Sequence, residues 1–339
     1  MQEQFTFFVG TDVSKLTLDM SIISKGIEVH CTQIANTKKA IDTWFKKMSN
    51  ATGISVTNTL FCMEFTGIYN YHLVEYLDSK AAKMWIMPGA QLKHGKGMDR
   101  GKSDKADAKK IALYGFTHPH EVRLWKQPRL VVKQLRTLIK NREGIIKTRH
   151  QYERRLKESK GLVDKKELAI TKKYCQPMLD LVAKQIKAID KEIKELIATD
   201  EKLNELSGYI QSVDGVGIVT AAEMIVTTNE FENYDDAKKL ACHCGVVPFK
   251  KESGTSIKGR ASVSHKANKK MKRLLHLAAL SAIKVKGEFK QYYERKKAEG
   301  KHVMSVLNAI RNKLVLRIFA CVKNKRFYQK DYQYSLVKL

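Results

Sequence analysis

Residues 5–34 read FTFFVGTDVSKLTLDMSIISKGIEVHCTQI, and this stretch decides the fold of everything that follows. Phe5–Val13 is rich in aromatic and β-branched residues and predicts a buried strand ending near Asp12. Leu16–Ser24 and Ile27–Ile34 follow across short turns at Ser24-Lys25-Gly26 and Asn36-Thr37, so the three runs predict an antiparallel meander. Apolar residues at Ala40, Ile41, Trp44, Phe45 and Met48 then fall on one face of a helix. Leu60–Phe65 predicts a fourth strand, Ile68–Leu77 a helix, and Ala82–Met87 a fifth strand closed by Pro88-Gly89. The order is β-β-β-α-β-α-β, then a loop and a further helix.

That further helix opens with Lys102-Ser103-Asp104-Lys105-Ala106-Asp107. Ser103 is a good N-cap, and acids suit the positive end of the helix dipole. Asp104 and Asp107 stand three apart, so both carboxylates leave the same face. Taken alone, the segment is more simply a solvated, charge-laced helix. Two more carboxylates change that reading. Asp12 ends the first strand and Glu64 interrupts the fourth, and a charged side chain in an apolar strand is costly unless it is partnered. Four carboxylates beside one another would need a cation between them, and a divalent metal supplies it. Lys93, Lys96, Arg100, Lys102, Lys105, Lys109 and Lys110 crowd the same region. Acids that hold metal within a basic stretch suit a polyanionic substrate.

The chain of 339 residues carries 63 Lys and Arg against 35 Asp and Glu, a formal charge of +28 spread along its length. That excess predicts a nucleic acid or an anionic membrane as partner. The longest apolar runs, Leu274–Ile283 and Leu314–Val322, are too short to span a bilayer, and Met1-Gln2-Glu3-Gln4 does not open a signal peptide. Six scattered cysteines (31, 62, 175, 242, 244 and 321) without a C-x-x-C pair predict reduced thiols and a cytosolic protein. Cys242-His243-Cys244, with His265 or His276, lacks the spacing of a zinc finger or knuckle.

Downstream, Val131, Leu135, Leu138, Arg142, Ile145, Arg149, Tyr152 and Leu156 recur in steps of four and three. Leu179, Val182, Ile186, Ile189, Ile193 and Leu196 repeat the rule. This predicts a coiled-coil hairpin broken near Ser159-Lys160-Gly161, with a narrow seam suited to pairing with another chain. Gly215-Val216-Gly217, between two apolar helical stretches, resembles a helix-hairpin-helix turn, although a simple turn reads equally well. From Lys250 to Arg273 nine basic residues face a single acid, Glu252, so Lys250, Lys251, Lys258, Arg260, Lys266, Lys269, Lys270 and Arg273 predict a phosphate-binding surface. Ser253-Gly254 by itself is turn chemistry.

The order of elements, with Asp12, Glu64, Asp104 and Asp107 placed as they are, is similar to the RNase H-like fold of RuvC-type resolvases. More specifically, Val9-Gly10-Thr11-Asp12-Val13-Ser14-Lys15, Met63-Glu64-Phe65-Thr66-Gly67-Ile68-Tyr69 and Lys102–Ala108 resemble the three acidic motifs of the DEDD insertion-sequence transposases. That family includes the Piv-type invertases and the bridge-RNA-guided recombinases. The resemblance implies an α/β RNase H-like (RuvC-like) N-terminal domain over residues 1–125 and a helical coiled-coil arm over 126–206. A mainly α C-terminal transposase domain over 207–339 would carry the helix-hairpin-helix-like element. It further implies four acids that bind Mg²⁺, and a nucleophilic serine that forms a covalent phosphoserine–DNA link. The family's serine motif corresponds here to Pro248, Ser253-Gly254, Gly259, Lys266, Asn268 and Arg273-Leu274. Ala267 replaces the usual glycine, and Ser256 is a second hydroxyl nearby. The partners implied are double-stranded target and donor DNA, a structured guide (bridge) RNA and a homo-tetramer, in the cytoplasm of a prokaryote at the nucleoid. A metal-dependent nuclease using water, or a nucleic-acid-binding protein without catalysis, would share much of this sequence.

Overall fold

Strand β1 (Phe7–Val13) pairs antiparallel with β2 (Thr17–Ser24), which pairs antiparallel with β3 (Ile27–Ala35). Lys25 and Gly26 both take positive φ (50° and 80°), which gives the tight turn whose twist matches that of the strands it joins. Helix α1 (Lys38–Thr52) starts where the Thr37 side chain accepts from the Ala40 amide and stops at left-handed Gly53. Then β4 (Thr59–Glu64) runs parallel to β1, α2 (Tyr71–Ser79) crosses back, and β5 (Lys83–Met87) lies parallel to β4. The sheet order is β3-β2-β1-β4-β5, and the succession of elements along the chain as far as β5 is the one predicted from the sequence. Short α3 (Gly89–His94) and α4 (Asp104–Thr117) complete this unit. The computed structural model describes residues 5–94, 104–253, 257–264 and 267–330, in two units, Met1–Gln127 and Pro128–Leu339.

Alternation along the strands gives the sheet two apolar faces. Val9, Val13, Leu18, Met20, Phe61 and Met63 pack with Ile41 and Trp44 of α1 and with Leu73 and Leu77 of α2. On the other face Phe8, Ile23, Leu60, Cys62 and Trp85 meet Ile111 and Ala112 of α4. Gly10 points into that second layer. A β-carbon at residue 10 would strike the backbone of Ala108 and Ala112, so α4 rests directly on β1 only because residue 10 has no side chain.

In the second unit α5 (Leu130–Ser159) and α6 (Lys165–Thr199) run along one another, joined at Gly161 (φ 87°). The predicted seam is only partly the observed one. Leu135, Val182, Ile186 and Ile193 are buried as expected, but so are Val132 and Ile139, because the start of α5 packs on α8 (Ile218–Thr228) as well as on α6. Arg142 meets Asp190 of α6 at 2.6 Å, so it serves as a charged clasp. Around these roots lie α7 (Glu201–Gln211), α9 (Ala237–His243), the hairpin β6 (Pro248–Ser253) and β7 (Ile257–Val263), α10 (Lys269–Ala282), α11 (Glu288–Ala298) and α12 (Val303–Lys323). One core unites them through Leu203, Ile225, Leu275, Ile310 and Leu314. The expected glycine turn joins α7 to α8. Gly215 takes φ 83°, and a β-carbon there would strike Ala278 and Ala282 of α10, so close packing accounts for that glycine. Buried Glu230 is held by Arg129 at 2.6 Å, and the same guanidinium binds Asp200 at 2.8 Å. Among the described residues no helix is long and apolar enough to cross a membrane.

The Gly10 contact is directly testable. Gly10→Ala should destabilise the first unit by about 1–3 kcal/mol through overpacking, read as a lower urea midpoint. It should also disturb the acidic strand end beyond the stability loss, because α4 carries two of the acids. A variant with wild-type midpoint would refute the close contact.

Candidate active site

Three elements deliver acids to one end of the sheet. Asp12 is the sixth residue of β1 and, by alternation from Phe8 and Gly10, faces α4. Thr11 pairs with Met63, so Asp12 and Glu64 are neighbours at the carboxyl ends of parallel strands, where open α/β sheets form their sites. Helix α4 begins at Asp104 and reaches Gly10 at Ala108, which carries Asp104 and Asp107 over the same strand ends. Asp104 is exposed and Asp107 half-buried, and Lys110 lies 3.8 Å from the latter.

Electrostatics records the gathering. Burial first, then the charges of Asp104, Asp107, Asp19 and Glu64, push the Asp12 carboxyl from 3.8 up to about 6. Asp19 was not anticipated. It stands directly across from Asp12 on β2, is 2% exposed, and accepts from Gln33 Nε2 through both carboxylate oxygens at 2.9 and 3.1 Å. Asp19 is itself paired with Gln33 on β3, so Gln33, Asp19, Asp12 and Glu64 form one row across four strands. The signal was present in the sequence: a lone acid in the apolar run LTLDMSII, as informative as Glu64 in LFCMEF.

Two buried asparagines fix the loops. Asn36 donates to the carbonyls of Ser14 and Tyr69, tying the exit of β1 to the segment after β4. Asn70 donates to the Glu64 carbonyl at 2.9 Å and accepts from Thr66, which fixes the backbone that carries Glu64. A β-carbon at Gly89 would collide with Glu64 Oε1, so that glycine keeps the carboxylate's place clear.

Among the described residues no three His, Cys, Asp or Glu side chains are already closed into a metal cage. The donor set nevertheless fits a hard divalent cation. It is all oxygen and all anionic, and Asp12 is loaded by four like charges.

The second unit places Ser253 as the last residue of β6, paired with Ile257, at the far end of the hairpin. Gly254 and Ser256 lie outside the described residues, as do Lys96, Arg100, Lys102 and Lys266. For Ser253, Lys93, Lys250, Lys251, Lys258 and Arg260 only the backbone is described. Lys105, Lys269 and Arg273 are exposed. Lys270 is engaged by Glu223 at 2.8 Å and Glu143 at 3.1 Å, an ion pair that anchors α10 to α8 and α5.

Residues 9–159 match a DEDD transposase model of the IS110 type, and residues 207–294 match the model described as "Transposase IS116/IS110/IS902 family". The two matches follow one another and together span more than two thirds of the chain. The chain belongs to the IS116/IS110/IS902 family of transposases. Its DEDD domain implies the RNase H-like fold and dependence on a divalent metal, and its activity is DNA transposition or recombination. The transposase is also 24% identical to the pilin gene-inverting proteins of Moraxella lacunata and Moraxella bovis, over 95% of its length and 98% of theirs. An uncharacterized 43.6 kDa protein of the insertion element IS110 from Streptomyces coelicolor is 31% identical over 152 residues, which are 44% of this chain and 36% of that protein.

The raised Asp12 carboxyl has a measurable consequence. The folded protein binds this proton more tightly than the unfolded chain, so without divalent cation its stability should fall as pH rises from about 4 to about 6, then level off. The fall should be about 1 kcal/mol once discounted for a half-exposed carboxylate. Asp12→Asn should flatten that profile, and added Mg²⁺ or Mn²⁺ at pH 7 should stabilise wild type far more than this variant. Urea titrations across the pH series decide it. An unchanged profile in Asp12→Asn would contradict the site.

Proposed function

We propose that this transposase cuts and rejoins DNA by way of a covalent serine–DNA link, with Asp12, Glu64, Asp104 and Asp107 holding Mg²⁺ and Ser253 as nucleophile. The observation that carries the reading is the gathering of Glu64, Asp104 and Asp107 around the Asp12 carboxyl. Carboxylates that crowd Asp12 and raise its proton affinity form a site suited to a cation. Bound there, the cation neutralises charge developing on the scissile phosphate.

The serine has a definite task. Its Oγ attacks phosphorus while its proton leaves, the bond from phosphorus to one deoxyribose oxygen breaks, and that oxygen takes up a proton. The phosphodiester energy stays in the Ser–O–P bond, so a strand hydroxyl can reverse the step and release the serine. Support for Ser253 comes from its place at the end of a basic hairpin within the matched transposase segment. The acids belong to the first unit and Ser253 to the second, so the reading requires them to meet in the assembled enzyme.

We infer a homo-oligomer, a tetramer by the family resemblance. The α5–α6 seam is consumed within the chain, whereas Ile170, Tyr174, Met178 and Leu181 leave an apolar stripe exposed along α6. A structured guide RNA that selects target and donor DNA by base pairing is the further partner the resemblance implies, and the charge of +28 accords with it. The place of action would be the nucleoid of a prokaryotic cytoplasm.

Ser253→Ala removes one oxygen and should leave folding and DNA affinity intact while eliminating the adduct trapped on a nicked duplex. An adduct that persists in Ser253→Ala but vanishes in Ser256→Ala would move the nucleophile. DNA cutting with no adduct in wild type would favour water as nucleophile. For assembly, Ile170→Asp combined with Leu181→Asp should lower the mass seen by light scattering, and an unchanged mass would exclude the stripe as the contact.

A further inference from the structure

Arg311, on α12, is 6% exposed, and its Nε is buried without a hydrogen-bond partner. Among the described residues no carboxylate pairs with it, and burial alone pushes the guanidinium below its ordinary range. An arginine cannot shed its charge, so a buried one is expected to find an anion. The other buried charges of this unit do find partners: Glu230 has Arg129, and Glu223 has Lys270.

Two further basic groups face it. Lys272 and His276 stand one turn apart on α10, which packs against α12, and both are pushed down by burial and then by the positive charge of Arg311. His276 Nδ1 is also buried and unpartnered. The cluster sits at the root of the serine hairpin. Asn308, one turn before Arg311, donates to the Val246 carbonyl at 2.9 Å, two residues before β6 begins. The Lys272 stem lies 3.6 Å from where a β-carbon on Gly245 would stand.

We propose that Arg311, Lys272 and His276 form a phosphate-binding site that takes a backbone phosphate of DNA beside the hairpin bearing Ser253. A guanidinium offers a planar fork of donors that matches two phosphate oxygens, and lysine adds a point charge. The phosphate chemistry follows from the cluster itself. Only the choice of DNA rests on the proposed recombinase activity.

Arg311→Met keeps the bulk and removes the charge. On the full chain, inorganic phosphate should raise the melting temperature of wild type above that in chloride of equal ionic strength, and Arg311→Met should lose most of that difference. Lys297→Met, at an exposed site on α11, should retain it. Binding of an uncut DNA duplex by Arg311→Met should weaken roughly tenfold. The slope of log affinity against log salt should shrink by about one. If Arg311→Met does not fold, Lys272→Met, at a partly exposed position, decides by the same measurements. Equal melting in phosphate and chloride for wild type, or an undiminished phosphate effect in the variant, overturns the site. An unchanged slope on DNA overturns the DNA assignment, as does a slope change seen only with an RNA hairpin. None of these readouts needs strand cleavage, so a missing Ser253 adduct would defeat the nucleophile while leaving this test standing.

Discussion

The acidic site depends on one close contact, helix α4 lying on strand β1 at Gly10 with no β-carbon between them. Helix packing normally holds backbones apart by the width of two side chains. Here that spacer is missing on one side, so the first turn of α4 comes down over the strand ends. Asp104 and Asp107 can then act on Asp12. The glycine is therefore part of the site although it carries no functional group. Gly89 plays a similar part for Glu64, by leaving space rather than filling it.

The two units manage charge differently. In the first, acids are crowded at a strand end, where the neutral amide of Gln33 holds Asp19 and Lys110 stands 3.8 Å from Asp107. This arrangement stores repulsion that a bound cation relieves. In the second, Arg129, Lys202 and Lys270 are spent on Glu230, Asp200 and Glu223, which fastens helices that are far apart in sequence. Arg311 departs from that pattern: it is buried, and among the described residues no carboxylate pairs with it. A strongly cationic chain thus uses part of its charge as internal fastening, while Lys105, Lys269 and Arg273 stay exposed.

Periodicity reaches as far as the single helix and not to its neighbours. Heptad spacing located both long helices and the break between them, because apolar spacing of 3.5 to 3.6 residues is a local property. It did not separate a helix paired with one neighbour from a helix paired with two. Val132 and Ile139 are buried because α8 lies against α5, and nothing within α5 announces α8. Likewise Arg142 fits the repeat by its spacing, whereas its partner Asp190 is 48 residues away.

By itself the sequence determined the succession of strands and helices in the first unit and the two long helices of the second, and it singled out four acids and a basic serine segment, because strand alternation, helical period and turn residues are written locally; the β6–β7 hairpin was not legible there. The sequence also held the clue to Asp19, a charged residue in an apolar strand, which needed register to become informative. Only the tertiary structure decided which residues meet. Asp19 lies opposite Asp12 because of a two-strand register, Asn36 reaches the Tyr69 carbonyl 33 residues away, and the charge of Arg311 bears on Lys272 and His276 where α12 packs on α10. Such meetings depend on how elements stack. Stacking is set by the volumes of side chains distant in sequence, down to the missing one at Gly10.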